Sequence, residues 1–164
     1  HSVLDCSFGT GCLTFPLVEL GYQVSGSDIS APMLKRAAEK AEMKGVEVEL
    51  KQCDFRELSN CFTQRFDCVM STGNALAHVA NTDVLKALHE MDKCLKPGGY
   101  LYFDSRNWEK SLQDAARFQK GQAIYRKDDV RIGYVQVWEY HADGTVTINI
   151  LQSYEKDGRI FDTK

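Results

Sequence analysis

Basic charge is not in excess in this chain: 20 Lys and Arg stand against 23 Asp and Glu, a formal net charge of -3. That balance offers no positive field for a phosphate backbone, which disfavours nucleic acid as a partner. No apolar run approaches the roughly 20 residues that span a bilayer, and the first residues lack the charged and apolar regions of a signal peptide. A soluble protein away from membranes is expected. The six cysteines (Cys6, Cys12, Cys53, Cys61, Cys68, Cys94) include no C-x-x-C pair, so neither a zinc site nor a thioredoxin-type motif is signalled and no metal is expected. Reduced thiols in a cytoplasmic protein fit this usage. No repeat, low-complexity tract or Pro/Ser-rich linker is visible, and prolines number only three.

What is present is a globular composition, 43% hydrophobic and 26% charged over 164 residues, enough for one ordinary core. Strand patterns occupy residues 2–6, 22–28, 46–52, 66–72 and 99–105, with helical stretches at about 12–20, 31–43 and 82–95 between them. The second helix has full end signals: Ser30 as N-cap, Pro32 in the first turn and Gly45 beyond the end. Alternating strand and helix predicts an α/β, doubly wound, Rossmann-like and mostly parallel sheet, with ligands outside the carboxyl ends of its strands. After residue 106 the pattern changes. A helix over 108–118 gives way to AIYRKDD, VRIGYVQVWEYH and TVTINILQSYEK, with ADGT and KDGR as turns. This reads as an antiparallel β insertion after strand five, folded over the ligand crevice. The expected organisation is thus a cofactor-binding core over 1–106 and a helix plus meander over 107–164. His1 sits one residue before a buried strand and Lys164 directly follows RIFDT, which reads as a fragment of a longer chain.

The stretch VLDCSFGTG ends a strand on Asp5 and turns through Gly9 and Gly11, as expected where a ligand's polar tail meets the backbone. A dinucleotide fingerprint would need a third small residue where Thr14 stands. A ligand with a cationic tail suits the pattern better, because Asp5 can attract an ammonium or sulfonium. Asp28 ends the second strand 23 residues later, near the spacing at which an acid receives ribose hydroxyls. Asp54 closes the third strand, where it can reach an adenine amino group, with Phe55 available to pack on the ring.

With these residues in place, the chain resembles the class I S-adenosylmethionine-dependent methyltransferases. The resemblance implies that the glycine turn holds the methionine part, the acid after strand two the ribose, and the acid after strand three the adenine. LKPGGYLYFD (95–104) is similar to the family's approach to strand five. Ser7 stands where the commonest form of the glycine motif has glycine. The implied cofactor set is Asp5, Ser7, Gly9, Gly11, Asp28, Ile29, Met33, Asp54, Phe55, Ser71, Gly73 and His78. Two further segments, STGNALAHV (71–79) and FDSRNWEK (103–110), resemble the glycine and sarcosine N-methyltransferase branch. That branch places its GN asparagine, here Asn74, at the reacting amine, and pairs its arginine after strand five, here Arg106, with the substrate carboxylate. Trp108 stands where the branch has tyrosine.

Arg106 also has a physical case, since a guanidinium at a cleft mouth clamps a carboxylate with two parallel hydrogen bonds. Asn74 is equally suited to cap a helix beginning near Ala75. His78 reads either as a cofactor or substrate contact or as a packing residue. Tyr125 and Tyr134 either shield the methyl group or pack the meander, and Tyr125 and Trp108 join Asn74 and Arg106 as substrate-binding candidates. The expected activity is methyl transfer to the amine of a small amino acid, glycine or sarcosine, with a homo-oligomer open. The rival readings are a methyltransferase for another small molecule, an NAD(P)-dependent oxidoreductase and a non-catalytic cofactor-binding module.

Overall fold

Alternation along the first strand, β1 (Ser2–Asp5), sends Val3 and Leu4 to opposite faces of a sheet, and each founds a separate hydrophobic cluster. In the computed structural model, which describes residues 1–120, 125–127 and 129–164 (120 and 125–127 as backbone), the chain divides into two compact units, His1–Arg106 and Asn107–Lys164.

In the first unit β1 is joined by β2 (Gln23–Asp28), β3 (Glu49–Gln52), β4 (Phe66–Ser71) and β5 (Leu95–Phe103), all parallel, in the order β3-β2-β1-β4-β5. Val3, Val24 and Met70 pack with Phe15 of α1 (Phe15–Glu19) and with Ala37 and Ala41 of α2 (Ala31–Lys44). Leu4 and Val69 face the other way, towards Leu58 of α3 (Leu58–Cys61) and Ala87 and Met91 of α4 (Asn81–Lys93). The sheet is therefore doubly wound, as the alternation of elements in the sequence implies.

Ser30 caps α2 as expected, accepting from the Met33 amide, and Gly45 closes it at φ 64°, a left-handed conformation that glycine adopts without a Cβ penalty. Several boundaries differ from expectation, among them β3, which begins at Glu49 rather than at 46. The first helix begins at Phe15 rather than near 12, because Gly11 to Thr14 are spent on turn hydrogen bonds. The fifth strand starts at Leu95 and carries an irregular register at Pro97 to Gly99, then stops at Phe103, leaving Asp104 to Arg106 as loop. The short 3-10 turn Phe55–Glu57 and α3 went unread, being too brief to show a helical period.

The expectation of reduced thiols is corrected at one pair: Cys53, just before that short turn, and Cys61, the last residue of α3, form a disulfide with a Cα–Cα distance of 6.5 Å. Their spacing carries no motif, and only the reversal of the chain between them brings them together. Cys6, Cys12, Cys68 and Cys94 stay outside any disulfide.

The second unit opens with α5 (Trp108–Asp114), four residues shorter than read, since Ala115 turns left-handed at φ 43°. An antiparallel sheet follows: β6 (Phe118–Lys120), β7 (Tyr125–Lys127), β8 (Val130–Tyr140), β9 (Val146–Lys156) and β10 (Arg159–Thr163). Gly144 at φ 82°, and Asp157 with Gly158 at φ 51° and 73°, make the two hairpin turns that ADGT and KDGR signal. Among the described residues no helix is long and apolar enough to cross a membrane.

Candidate functional site

The strand order reverses at β1, whose neighbours β2 and β4 are reached by crossovers in opposite directions, so a crevice opens outside the carboxyl ends of these strands. A cavity of about 240 Å³ lies there, lined by Cys6, Ser7, Asp28, Ile29, Cys53 to Arg56, Ala75, His78 and Val79. A larger one, about 390 Å³, sits at the opposite end of the sheet around Ser2, Asp67 and Lys96 and contains none of the expected cofactor residues.

Asp5 lies beneath the turn instead of at its surface. It is fully buried, and its carboxylate accepts from the Ser7 amide at 3.0 Å, from the Ser7 hydroxyl at 3.3 Å and from the Thr14 hydroxyl. Burial pushes its carboxyl upward from the usual carboxylate range, against the opposing pull of these hydrogen bonds. Thr14, the residue that breaks the dinucleotide fingerprint, is thus the partner that Asp5 requires. Gly11 is needed for packing: at φ 73°, a Cβ there would lie 2.4 Å from the Phe15 ring and 2.6 Å from that of Phe8. Those two rings meet edge to face at 5.7 Å. The Gly9 amide points to Asp28. Ser7, where a glycine is commoner, ties this turn to the end of β4, its hydroxyl accepting from the Thr72 amide at 2.7 Å and lying 3.4 Å from the hydroxyl of buried Ser71.

Asp28 is half-buried and opens on the cavity. Each oxygen accepts one backbone amide, from Gly9 at 2.8 Å and from Ser30 at 2.8 Å, which fixes the carboxylate and leaves each oxygen a further lone pair. Asp54 is held from the other side. Its oxygens accept from Arg56 Nε at 3.0 and 3.1 Å and from a terminal guanidinium nitrogen at 2.6 Å, while Arg56 reaches Asp83 on α4 at 2.6 Å. The guanidinium holds the Asp54 carboxyl below the usual carboxylate range. Arg56 and Asp83 escaped the sequence reading, although an arginine two residues after an acid is a local hint. Phe55 is half-buried beside Asp54, Ile29 and His78 are exposed at the cavity, and Met33 is exposed on the first turn of α2 without lining it. Asp28, pinned with a lone pair to spare on each oxygen, and an aromatic ring beside the Arg56-held Asp54 are an acceptor and a packing surface that fit an adenosine.

Asn74 and Arg106 converge. Asn74 takes a left-handed conformation at φ 64°, and its side chain does not cap the following 3-10 turn Ala75–His78. Instead its Oδ1 accepts from the Arg106 backbone amide at 3.0 Å. Gly73, at φ 72°, and Asn74 both donate their amides to Asp104, a residue absent from the sequence reading. In the second unit Trp108 stacks on fully buried Trp138, ring centroids 5.8 Å apart, and Tyr134 sits half-buried in β8 opposite Gln152. Tyr125 is placed by its backbone in β7, and its side chain lies outside the described residues. No group of three or more His, Cys, Asp or Glu suited to a metal ion occurs among the described residues.

A family model described as "Methyltransferase domain" matches residues 3–99. The glycine/sarcosine N-methyltransferase of Parasynechococcus marenigrum is 34% identical over 135 residues, covering 81% of this chain and 48% of its own. Other relatives are named only as methyltransferases, without an acceptor. The chain spans about half the length of the first curated relatives it matches. Among solved structures, an S-adenosylmethionine-dependent methyltransferase from Clostridium acetobutylicum has a TM-score of 0.74 at 23% identity, over 99% of this chain and 63% of that one. An amino pentose methyltransferase from Micromonospora echinaspora, solved with S-adenosylmethionine bound, has a TM-score of 0.78 at 17% identity, over 99% and 66%.

Proposed function

This chain belongs to the S-adenosylmethionine-dependent methyltransferase family, and from that premise we propose that it methylates the amine nitrogen of a small amino acid, glycine or sarcosine. The observation that carries the reading is the junction of Asn74 and Arg106, two residues 32 apart in sequence that share a hydrogen bond beyond the ends of β4 and β5. Relatives named for glycine and sarcosine methylation lend it further support.

When bound, S-adenosylmethionine supplies an electrophilic methyl carbon on a sulfonium. Asp28 would receive the ribose hydroxyls on the lone pairs its amide partners leave over, and Asp54 and Phe55, at the same cavity, would hold the adenine. Asp5 contributes by holding the glycine turn from below. Arg106 clamps the acceptor's carboxylate, so that its nitrogen is aimed along the line of displacement, and alignment supplies much of the rate. Asn74 Oδ1, which accepts from the Arg106 amide and the Ser105 hydroxyl, ties the loop after β4 to the root of Arg106 on the acceptor side. An ammonium has no lone pair, so the acceptor sheds a proton to water before attack.

The test compares glycine with ethylamine, an amine of similar size without a carboxylate, at saturating cofactor and with mass-spectrometric detection. The parent protein is expected to methylate glycine well and ethylamine poorly. Arg106→Lys keeps the charge but loses the planar fork, and should lower kcat/KM for glycine about tenfold or more. Equal use of both amines, or an unimpaired variant, overturns the amino-acid reading. Asp28→Ala removes a charged acceptor and should weaken cofactor binding by about 1.5–3 kcal/mol per lost hydrogen bond. An unchanged Kd removes the ribose assignment.

A further inference from the structure

The turn that ends β4 holds two consecutive residues in the left-handed region, Gly73 at φ 72° and Asn74 at φ 64°. Asparagine tolerates that region better than most side chains, but an external partner is needed to keep it populated over the alternatives. Asp104 is that partner. One carboxylate oxygen accepts from the Gly73 amide at 3.0 Å and the other from the Asn74 amide at 2.6 Å, so successive backbone N–H groups converge on one anion. The Asp104 amide in turn donates to the Ser71 carbonyl at 3.2 Å, and two residues further on the Arg106 amide donates to Asn74 Oδ1 at 3.0 Å. The Ser105 hydroxyl approaches the same oxygen at 3.5 Å. The loops after β4 and β5 thus exchange hydrogen bonds in both directions, and the carboxylate of Asp104 is the charged member of the ring.

We propose that Asp104 is a positioning residue for the methyl acceptor: by clamping the Gly73 and Asn74 amides it holds Asn74 Oδ1 and the root of the Arg106 side chain in one fixed relation. This rests on the reading that the acceptor sits between Asn74 and Arg106. The latch belongs to the acceptor side, because Gly73, although expected among the cofactor residues, lies outside the lining of the cavity formed by Asp28, Asp54 and Phe55, as do Asn74, Asp104 and Arg106. Removing the carboxylate therefore acts on acceptor use and leaves cofactor affinity in place. A neutral amide at this position keeps the shape but sets one NH₂ group against a backbone N–H.

The experiment compares the full chain with Asp104→Asn and Asp104→Ser, reading cofactor Kd by calorimetry, KM and kcat for glycine, and amide hydrogen exchange at Gly73 and Asn74. Both variants are expected to raise the glycine KM about tenfold while cofactor Kd stays within about twofold, and to speed exchange at the two amides about tenfold or more. Acceptor kinetics that stay at the parent values, or a Kd that weakens as much as KM rises, overturns the proposal. If the parent protein methylates neither glycine nor sarcosine, the amino-acid reading falls on its own. The latch is then judged by amide exchange: acceleration at Gly73 and Asn74 supports it, and unchanged exchange overturns it.

Discussion

Strand β1 is four residues long and three of them are buried, whereas β9 runs eleven residues with none fully buried. The contrast extends to the units that hold them. In the first, both faces of the parallel sheet are covered by helices, and clusters around Leu4 and Val3 fill the space between. In the second, Trp138 is the one buried hydrophobic residue among those described, and Ile148, Ile150, Leu151 and Phe161 are exposed. Its strands are held instead by a long ladder, from Arg131 opposite Glu155 to Tyr140 opposite Val146, and by turns whose residues suit their dihedrals. The four-residue β1 is specified by packing on both faces, and the eleven-residue β8 and β9 by main-chain pairing along their length.

The sharpest way to break this contrast is a pair of truncations. Leu58→Ala deletes a fully buried side chain and should cost about 2–5 kcal/mol. Ile150→Ala, at a site 53% exposed, should cost no more than about 0.5 kcal/mol. Urea unfolding of each variant reads the difference, and equal losses would mean that the second sheet has a core of its own as demanding as the first.

Reducing the disulfide tests the first unit alone. Opening a loop whose ends are 8 residues apart should cost roughly 2–3 kcal/mol by the chain-entropy account. With dithiothreitol present, amide protection should fall in β3, which leads into Cys53, and stay unchanged in the β8 and β9 ladder. A uniform loss across both sheets would contradict their separate support.

The smallest effect concerns Asp5. Its folded-state pKa is raised by burial, so the stability contributed by the neutral carboxyl is complete below the ordinary value of 3.8 and is lost as pH rises through the raised one. Asp5→Asn is neutral throughout. The Tm of this variant relative to the parent should therefore climb as pH rises above the ordinary carboxyl value of 3.8, and a flat difference would show that hydrogen bonds from Ser7 and Thr14 cancel the burial.

Much of the fold was legible because its signals are local. Ser30, Pro32 and Gly45 announce a helix by capping chemistry, and ADGT and KDGR announce hairpins by the dihedrals they favour. The acids Asp28 and Asp54 stood out because they close successive strands after the glycine turn, Asp28 at the spacing of a ribose-binding acid, and both face the cavity. Asp104 gave no such signal. It follows a strand as many acids do, and its partners are the amides of a turn 30 residues earlier. Arg56 read as an ordinary charge because its second partner, Asp83, lies on another helix.

From the sequence come the order of strands and helices, the positions of the turns and the presence of acids at strand ends, since each depends on residues within a few places of one another. Only the tertiary structure decided that Asp5 faces inward to Thr14 while Asp28 faces the cavity, that Cys53 meets Cys61, and that Asp104 closes on Gly73 and Asn74. Burial and hydrogen-bond partnership belong to everything packed around a side chain, and two identical carboxylates at two strand ends take different roles once their surroundings differ.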